Sequence, residues 1–203
     1  MLFTSLAVAA LSAVASAKTI RVDVGQSGLS FSPDDIQANI GDILEFHYHA
    51  INHSVVAADF ANPCKPKAQG GFYSGFFPTS SGENDNVFQV EVNNTTPIWF
   101  YCSQPKGNHC GAGMVGAVNA NANKTLAQFK AAAGKISTNE SPSSGPFGGS
   151  ILSAASASKT TGSSSSTSTS NAPTSTISHA AAVRGSVSGM ALAVVGAALA
   201  FAV

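Results

Sequence analysis

Between Lys18 and Asn121 apolar and polar residues alternate in short stretches. Ile20, Val22 and Val24 alternate with Arg21 and Asp23. Ile36, Ala38 and Ile40 repeat the pattern, and Leu44, Phe46 and Tyr48 alternate with Glu45, His47 and His49. Phe88, Val90 and Val92 alternate with Gln89 and Glu91. A period of two puts one side of each stretch in a core and the other in water, which is the signature of β-strands. Pro97 to Cys102 (PIWFYC) is a dense aromatic strand, and Met114 to Asn119 (MVGAVN) is the last. Gly41-Asp42, Asn62-Pro63, Gly70-Gly71 and Gly107 punctuate the series. About seven short strands with turns between them predict an antiparallel sandwich or barrel. After them Leu126, Phe129 and Ala133 are spaced for a helix, so Thr125 to Ile136 reads as one short C-terminal helix within residues 122–136.

Both ends follow other patterns. Leu2 to Val14 is an apolar run closed by Ala15-Ser16-Ala17, the small-x-small sequence that a signal peptidase cuts. Residues 1–17 therefore read as a signal peptide, with Lys18 opening the mature chain. The run is shorter than the ~20 residues a membrane-spanning helix needs. Met190 to Val203 is a second apolar run with no basic residue after it. A spacer rich in small residues precedes it. This is the layout of a glycosylphosphatidylinositol (GPI) attachment signal, with residues 179–203 as the propeptide removed on anchoring. Ser178 and Ala180 stand at the right distance to receive the lipid, and Asn171 is an alternative further upstream.

Composition sharpens the division. Only 10% of the 203 residues are charged, against about 25% in an ordinary globular domain. Of the 20 charges, 17 lie between Lys18 and Lys135, eight basic and nine acidic. One folded unit of roughly 120 residues accounts for them, large enough for a single core. A net charge of 8 − 9 = −1 over that unit excludes the concentrated basic surface of a nucleic-acid binder. From Ser137 to Ser178 the chain is mostly Ser and Thr, with the unbroken run Ser163 to Ser170 and with Pro142, Pro146 and Pro173 interspersed. Such a segment buries too little apolar surface to offset its ordering entropy. Residues 137–178 read as a disordered, O-glycosylated stalk.

Five histidines and three cysteines are few enough to weigh singly. Cys102, His109 and Met114 share the loop between the last two strands, and His53 follows an earlier strand within Asn52-His53-Ser54. Singly, His53 is a turn residue, His109 a loop residue, Cys102 a small buried hydrophobe and Met114 a core side chain. Together, two imidazoles, a thiolate and a thioether form the soft trigonal-plus-axial donor set of a blue-copper site. His47 and His49 sit on the polar side of their strand and read as surface residues. His179 lies beyond the stalk.

With these segments assembled, residues 18–121 resemble a cupredoxin (plastocyanin-like) domain, and are most similar to plant phytocyanins and to fungal serine-rich GPI-anchored cupredoxins. The resemblance is carried by Phe31-Ser-Pro-Asp-Asp-Ile, Asn52-His53-Ser54-Val55-Val56, Phe60-Ala-Asn-Pro-Cys64, Ser74-Gly-Phe76-Phe77-Pro78 and His109-Cys110-x-x-Gly-Met114-Val115. It implies an all-β Greek-key sandwich of about seven to eight strands. It implies one copper ion, cycling between Cu(I) and Cu(II), on His53, Cys102, His109 and Met114, and electron exit through an exposed His109 ring. It also implies a Cys64–Cys110 disulfide. Cysteine arithmetic agrees, since three cysteines in a secreted chain leave one odd thiol and a copper thiolate accounts for it. One departure stands out: six residues separate Cys102 from His109, against four in phytocyanins.

The resulting expectation is a one-electron carrier, not an enzyme, on the extracellular face of the plasma membrane or in the cell wall. It would be held to the membrane by GPI lipid, monomeric, with a redox partner the sequence does not name. The alternative is a non-redox wall or adhesion protein with the same fold and little or no copper. A multicopper oxidase needs more His-x-His motifs than His47-Tyr48-His49, and a histidine-brace monooxygenase needs an N-terminal histidine where Lys18 stands. Glycosylation sequons at Asn93, Asn94, Asn123 and Asn139 complete the surface features. The sequon at Asn52 is set aside because it would lie beside the metal.

Overall fold

The structure, a computed structural model, describes residues 17–160. The expected signal peptide up to residue 16, the GPI propeptide and the attachment positions Asn171, Ser178 and Ala180 lie outside the described residues. Among the described residues no helix is long and apolar enough to cross a membrane.

In chain order the elements are β1 (Thr19–Val24), β2 (Phe31–Ser32), β3 (Asp35–Ile36), β4 (Ile43–His53), β5 (Val56–Ala58), β6 (Phe77–Glu91), β7 (Ile98–Tyr101), β8 (Val115–Val118), α1 (Leu126–Ala133), β9 (Ser150–Ser153) and α2 (Ala154–Thr160). They build two sheets, ordered β2-β1-β4-β6-β9 and β3-β8-β7-β5. β1 runs parallel to β4, from Thr19↔Ile43 to Val24↔Tyr48, and β3 runs parallel to β8. The other pairings are antiparallel. The expected Greek-key sandwich is therefore present.

The alternating residues meet between the sheets. Val22, Val24, Leu44, Phe46, Tyr48, Phe88 and Val90 face Val55, Phe100, Cys102 and Val118 across one continuous core. Phe31, Phe46 and Phe100 fix its centre edge to face, with ring centroids 4.9–6.4 Å apart. The dense apolar run in β7 has a different cause from simple alternation: both of its faces are covered. Phe100 points between the sheets, while Trp99 and Tyr101 point outward under α1 with Leu126, Phe129 and Ala133. Thr125 caps α1, accepting from the Gln128 N–H while the Gln128 side chain accepts from the Thr125 N–H.

The stalk boundary expected at Ser137 is corrected. Residues 150–153 pair with β6, with Ile151 opposite Phe88 and Leu152 opposite Val87. Phe147 exchanges backbone hydrogen bonds with Tyr73, and its ring lies 6.5 Å from the Tyr73 ring. A Ser-rich segment can join a sheet edge because main-chain pairing needs no apolar side chains, and a few contacts, the Phe147 ring on Tyr73, the half-buried Leu152 and the buried Ala157, escape a compositional average.

Candidate metal centre

β4 ends at His53, and β7 hands the chain to Cys102. The turn that follows β7 carries His109, and β8 begins one residue after Met114. The backbone ties these positions together. Cys102 N–H donates to the Met114 carbonyl at 3.1 Å, Met114 N–H to the His109 carbonyl at 2.9 Å, and His109 N–H to the Gln104 carbonyl at 3.2 Å. Nδ1 of His109 lies 3.5 Å from Sγ of Cys102, and Nδ1 of His53 lies 3.8 Å from it. The ligand atoms of these three residues all lie within 4.8 Å of one another. Met114 is fully buried beside Cys102 in the same core cluster.

These distances fit a bound ion. Bonds of about 2.3 Å to thiolate sulfur and about 2.0 Å to imidazole nitrogen, at about 120°, require a sulfur-to-nitrogen separation of roughly 3.7 Å. Both observed separations fall within a few tenths of an ångström of that. A thiol has one proton, whereas two imidazole Nδ1 atoms converge on this sulfur.

The surroundings orient each donor. Nε2 of His53 lies 3.4 Å from the Ala50 carbonyl, so Nε2 carries the proton and Nδ1 keeps its lone pair for a metal. Behind the same ring is Gly25, at φ 82°, where a Cβ atom would stand 2.3 Å from Nε2. The Ser54 N–H donates to Sγ of Cys102 at 3.4 Å. Burial, followed by repulsion from His53, pushes His109 down to about 4, and burial lowers His53 despite the Ala50 carbonyl. Burial raises the Cys102 thiol, with the Ser54 and Gln104 backbone and the Ser54 hydroxyl partly offsetting it. The metal-free cluster is thus neutral, and a cation entering it displaces the thiol proton.

Three positions differ from expectation. The His109 ring is buried, with 3% of its residue surface exposed. His47 is buried and His49 half-buried rather than on the surface. His47 is flanked by Glu45 and Glu83 at 2.6 and 2.5 Å, and Nε2 of His49 lies 2.9 Å from Asp23. A hydrogen-bonded polar cluster makes such burial tolerable, and nothing in the period-two pattern reveals it. Asp23, His49 and Glu83 also place ligand atoms close together. The guanidinium of Arg21 already lies between the two carboxylates, 2.5 Å from Asp23 and 2.7 Å from Glu83. That cluster is an ion-pair network with its cation in place.

The Cys64–Cys110 disulfide is present, with Cα atoms 5.6 Å apart, and Cys102 is the free cysteine. It anchors the residue next to His109 to the loop before Lys65. Asn93, Asn94 and Asn123 are exposed. Asn139 is half-buried and donates its Nδ2 to the Gln104 carbonyl. Phe77 stacks on Tyr48 at 3.9 Å within the core, whereas Phe76 is exposed.

No protein-family model matches the chain. A protein of Arthroderma benhamiae named "Probable GPI-anchored cupredoxin-1" is 37% identical over 140 residues, covering 68% of this chain and 71% of that protein. An "Extracellular serine-rich protein" of the same organism is 38% identical over 114 residues, covering 56% of this chain and 44% of that protein. Among solved structures, a pseudoazurin from Sinorhizobium meliltoi aligns at 20% identity and TM-score 0.34, covering 50% of this chain and 72% of that one. A pseudoazurin from Hyphomicrobium denitrificans aligns at 18% identity and TM-score 0.37, covering 58% and 98%.

Proposed function

The chain belongs to the cupredoxin family, and we propose that it is a blue copper protein that carries single electrons at the cell surface. In this reading His53, Cys102, His109 and Met114 would hold the ion. The observation that supports it is the convergence of two neutral imidazoles on one buried thiol at 3.5 and 3.8 Å. The soft donor set selects copper over harder cations. Bound copper would supply a one-electron couple.

The chain's own residues do the rest. Gly25 and the Ala50 carbonyl fix the His53 ring, and the Ser54 N–H stabilises the thiolate. The sandwich core holds Cys102 and Met114 rigidly, so the same ligand positions serve both oxidation states. A set of four protein donors offers no place for substrate, unlike an open catalytic site. That favours electron transfer over catalysis. The chain's likeness to a protein named as GPI-anchored supports placing it outside the cell on a lipid anchor, where its redox partner would also be.

The test is a reductive titration of copper-loaded protein. One electron per chain, reversible and without oxygen consumption, is the expected result. Oxygen consumption coupled to substrate turnover would replace the carrier with an enzyme. Phospholipase treatment of intact cells tests the anchor: release is expected, and retention alongside a released GPI control would mean a peptide span.

A further inference from the structure

Residues 136–141 (ISTNES) follow α1, and from Ser137 onward they belong by composition to the stalk. Hydrogen bonds tie them to residues around the metal centre. The Ile136 carbonyl accepts from Asn108 Nδ2 at 2.8 Å, and Asn139 Nδ2 donates to the Gln104 carbonyl at 2.7 Å. The Glu140 N–H donates to the Cys64 carbonyl at 3.0 Å, and the Glu140 carbonyl accepts from the Tyr101 hydroxyl at 2.7 Å. The Ser141 hydroxyl donates to Ser103 Oγ at 2.8 Å. Gln104 and Asn108 lie within the loop that is two residues longer than in phytocyanins. Gly111 lets the segment close on it, since a Cβ atom there would stand 2.3 Å from the Ile136 carbonyl oxygen.

The hydroxyl contacts continue inward. Ser103 Oγ lies 2.9 Å from Ser54 Oγ, which lies 3.9 Å from Sγ of Cys102. Each hydroxyl has one proton. With Ser141 donating to Ser103, Ser103 can donate to Ser54, and Ser54 is left to donate to the sulfur. A thiolate only accepts, so it favours this direction along the whole chain, and hydrogen bonds in series strengthen one another.

We propose that residues 136–141 are a strap that positions the metal-binding loop, with Ser141 as a positioning residue acting on the Cys102 thiolate through Ser103 and Ser54. The inference rests on the copper reading. The strap offsets the looseness that a longer loop would bring, and the donated hydrogen bonds withdraw charge from the sulfur, a recognised control of potential in such sites. It also engages the sequon at Asn139: the amide nitrogen that a glycan would occupy donates to the Gln104 carbonyl, and the strap predicts this sequon to be empty.

The experiment compares the full secreted protein with Ser141→Ala, Ser141→Thr, Asn139→Ala and, as a control, the exposed Ser143→Ala. Copper-loaded Ser141→Ala should show a lower potential and a thiolate band at longer wavelength, while Ser141→Thr and Ser143→Ala should match wild type. In the metal-free proteins, amide exchange at Glu140 should quicken at least tenfold in Asn139→Ala. Band and potential unchanged in Ser141→Ala, unchanged Glu140 exchange in Asn139→Ala, or a glycan mass on the Asn139 peptide would each overturn the strap. A wild-type protein with no thiolate band, but with Glu140 exchange responding as expected, would instead remove the copper reading and the tuning role with it.

Discussion

A Cβ atom on Gly25 would lie 2.3 Å from Nε2 of His53. No side chain other than hydrogen fits there while the imidazole keeps its place, and the φ of 82° at Gly25 separately disfavours an L-residue. Gly25→Ala should therefore turn the His53 ring away from Cys102. The expected outcome is a loss of about tenfold to a hundredfold in copper affinity, the range seen when a ligand's supporting contacts are removed. Backbone strain adds about 1–2 kcal/mol of lost stability. Copper titration and thermal melting of the metal-free variant check the two effects separately.

The disulfide closes a loop with a sequence separation of 46 between Cys64 and Cys110. Chain entropy gives such a bridge roughly 4 kcal/mol of stabilisation. Replacing both cysteines by alanine should lower stability by about that amount in denaturant unfolding, and should loosen the His109 side of the metal centre. Non-reducing peptide maps of wild type should show Cys64 joined to Cys110. A map with Cys102 in the bridge would remove the thiolate and the metal assignment together.

Stability of the metal-free protein should peak near neutrality. His109 is held at about 4 when folded but titrates near 6.5 in the unfolded chain. Its contribution is complete above about pH 6.5 and is lost as pH falls toward 4, because only the unfolded chain binds the proton readily. His53 shifts the same way. Cys102 shifts upward, so the unfolded chain ionises first and stability falls as pH rises above about 8.5. After allowance for solvent screening the His109 part of the acid flank is on the order of 1–2 kcal/mol. Melting temperatures from pH 4 to 10 check it. A curve flat across the acid flank would mean that His53 and His109 are not buried together.

Met114 is buried, and its carbonyl and N–H are bound to Cys102 and His109. Met114→Gln should retain copper at a lower potential, because an oxygen donor favours Cu(II). Met114→Leu should retain it at a higher one. Both replacements are close to methionine in volume, so unfolding should change by less than about 1.5 kcal/mol. Potentials unchanged in both variants would place the Met114 sulfur outside the axial position.

Where packing made the pattern, the sequence could be read. The alternating residues of β1, β4 and β6 put Val22, Phe46 and Phe88 in the core because one side of each strand faces it. Leu126, Phe129 and Ala133 in α1 are buried at their helical spacing. That the Cys102 thiol and the His53 and His109 imidazoles come together was legible because few residue types make a soft donor set. The polar interior was not. His47 lies buried and His49 half-buried among Arg21, Asp23, Glu45 and Glu83, which no periodicity separates from a solvated face. The strap was equally hidden. Asn139 and Ser141 act through single hydrogen bonds, and their composition matches that of the stalk after them.

The most direct test of the metal centre is the visible spectrum of copper-loaded wild-type protein beside that of Cys102→Ser. Charge transfer from a thiolate to Cu(II) gives type-1 sites their intense band near 600 nm, as expected of this donor set. Wild type should show that band at one copper per chain, and Cys102→Ser should lack it while keeping the fold. A wild-type protein that folds with its disulfide, takes up copper and stays colourless would contradict the assignment, leaving a cupredoxin fold at work without a blue site.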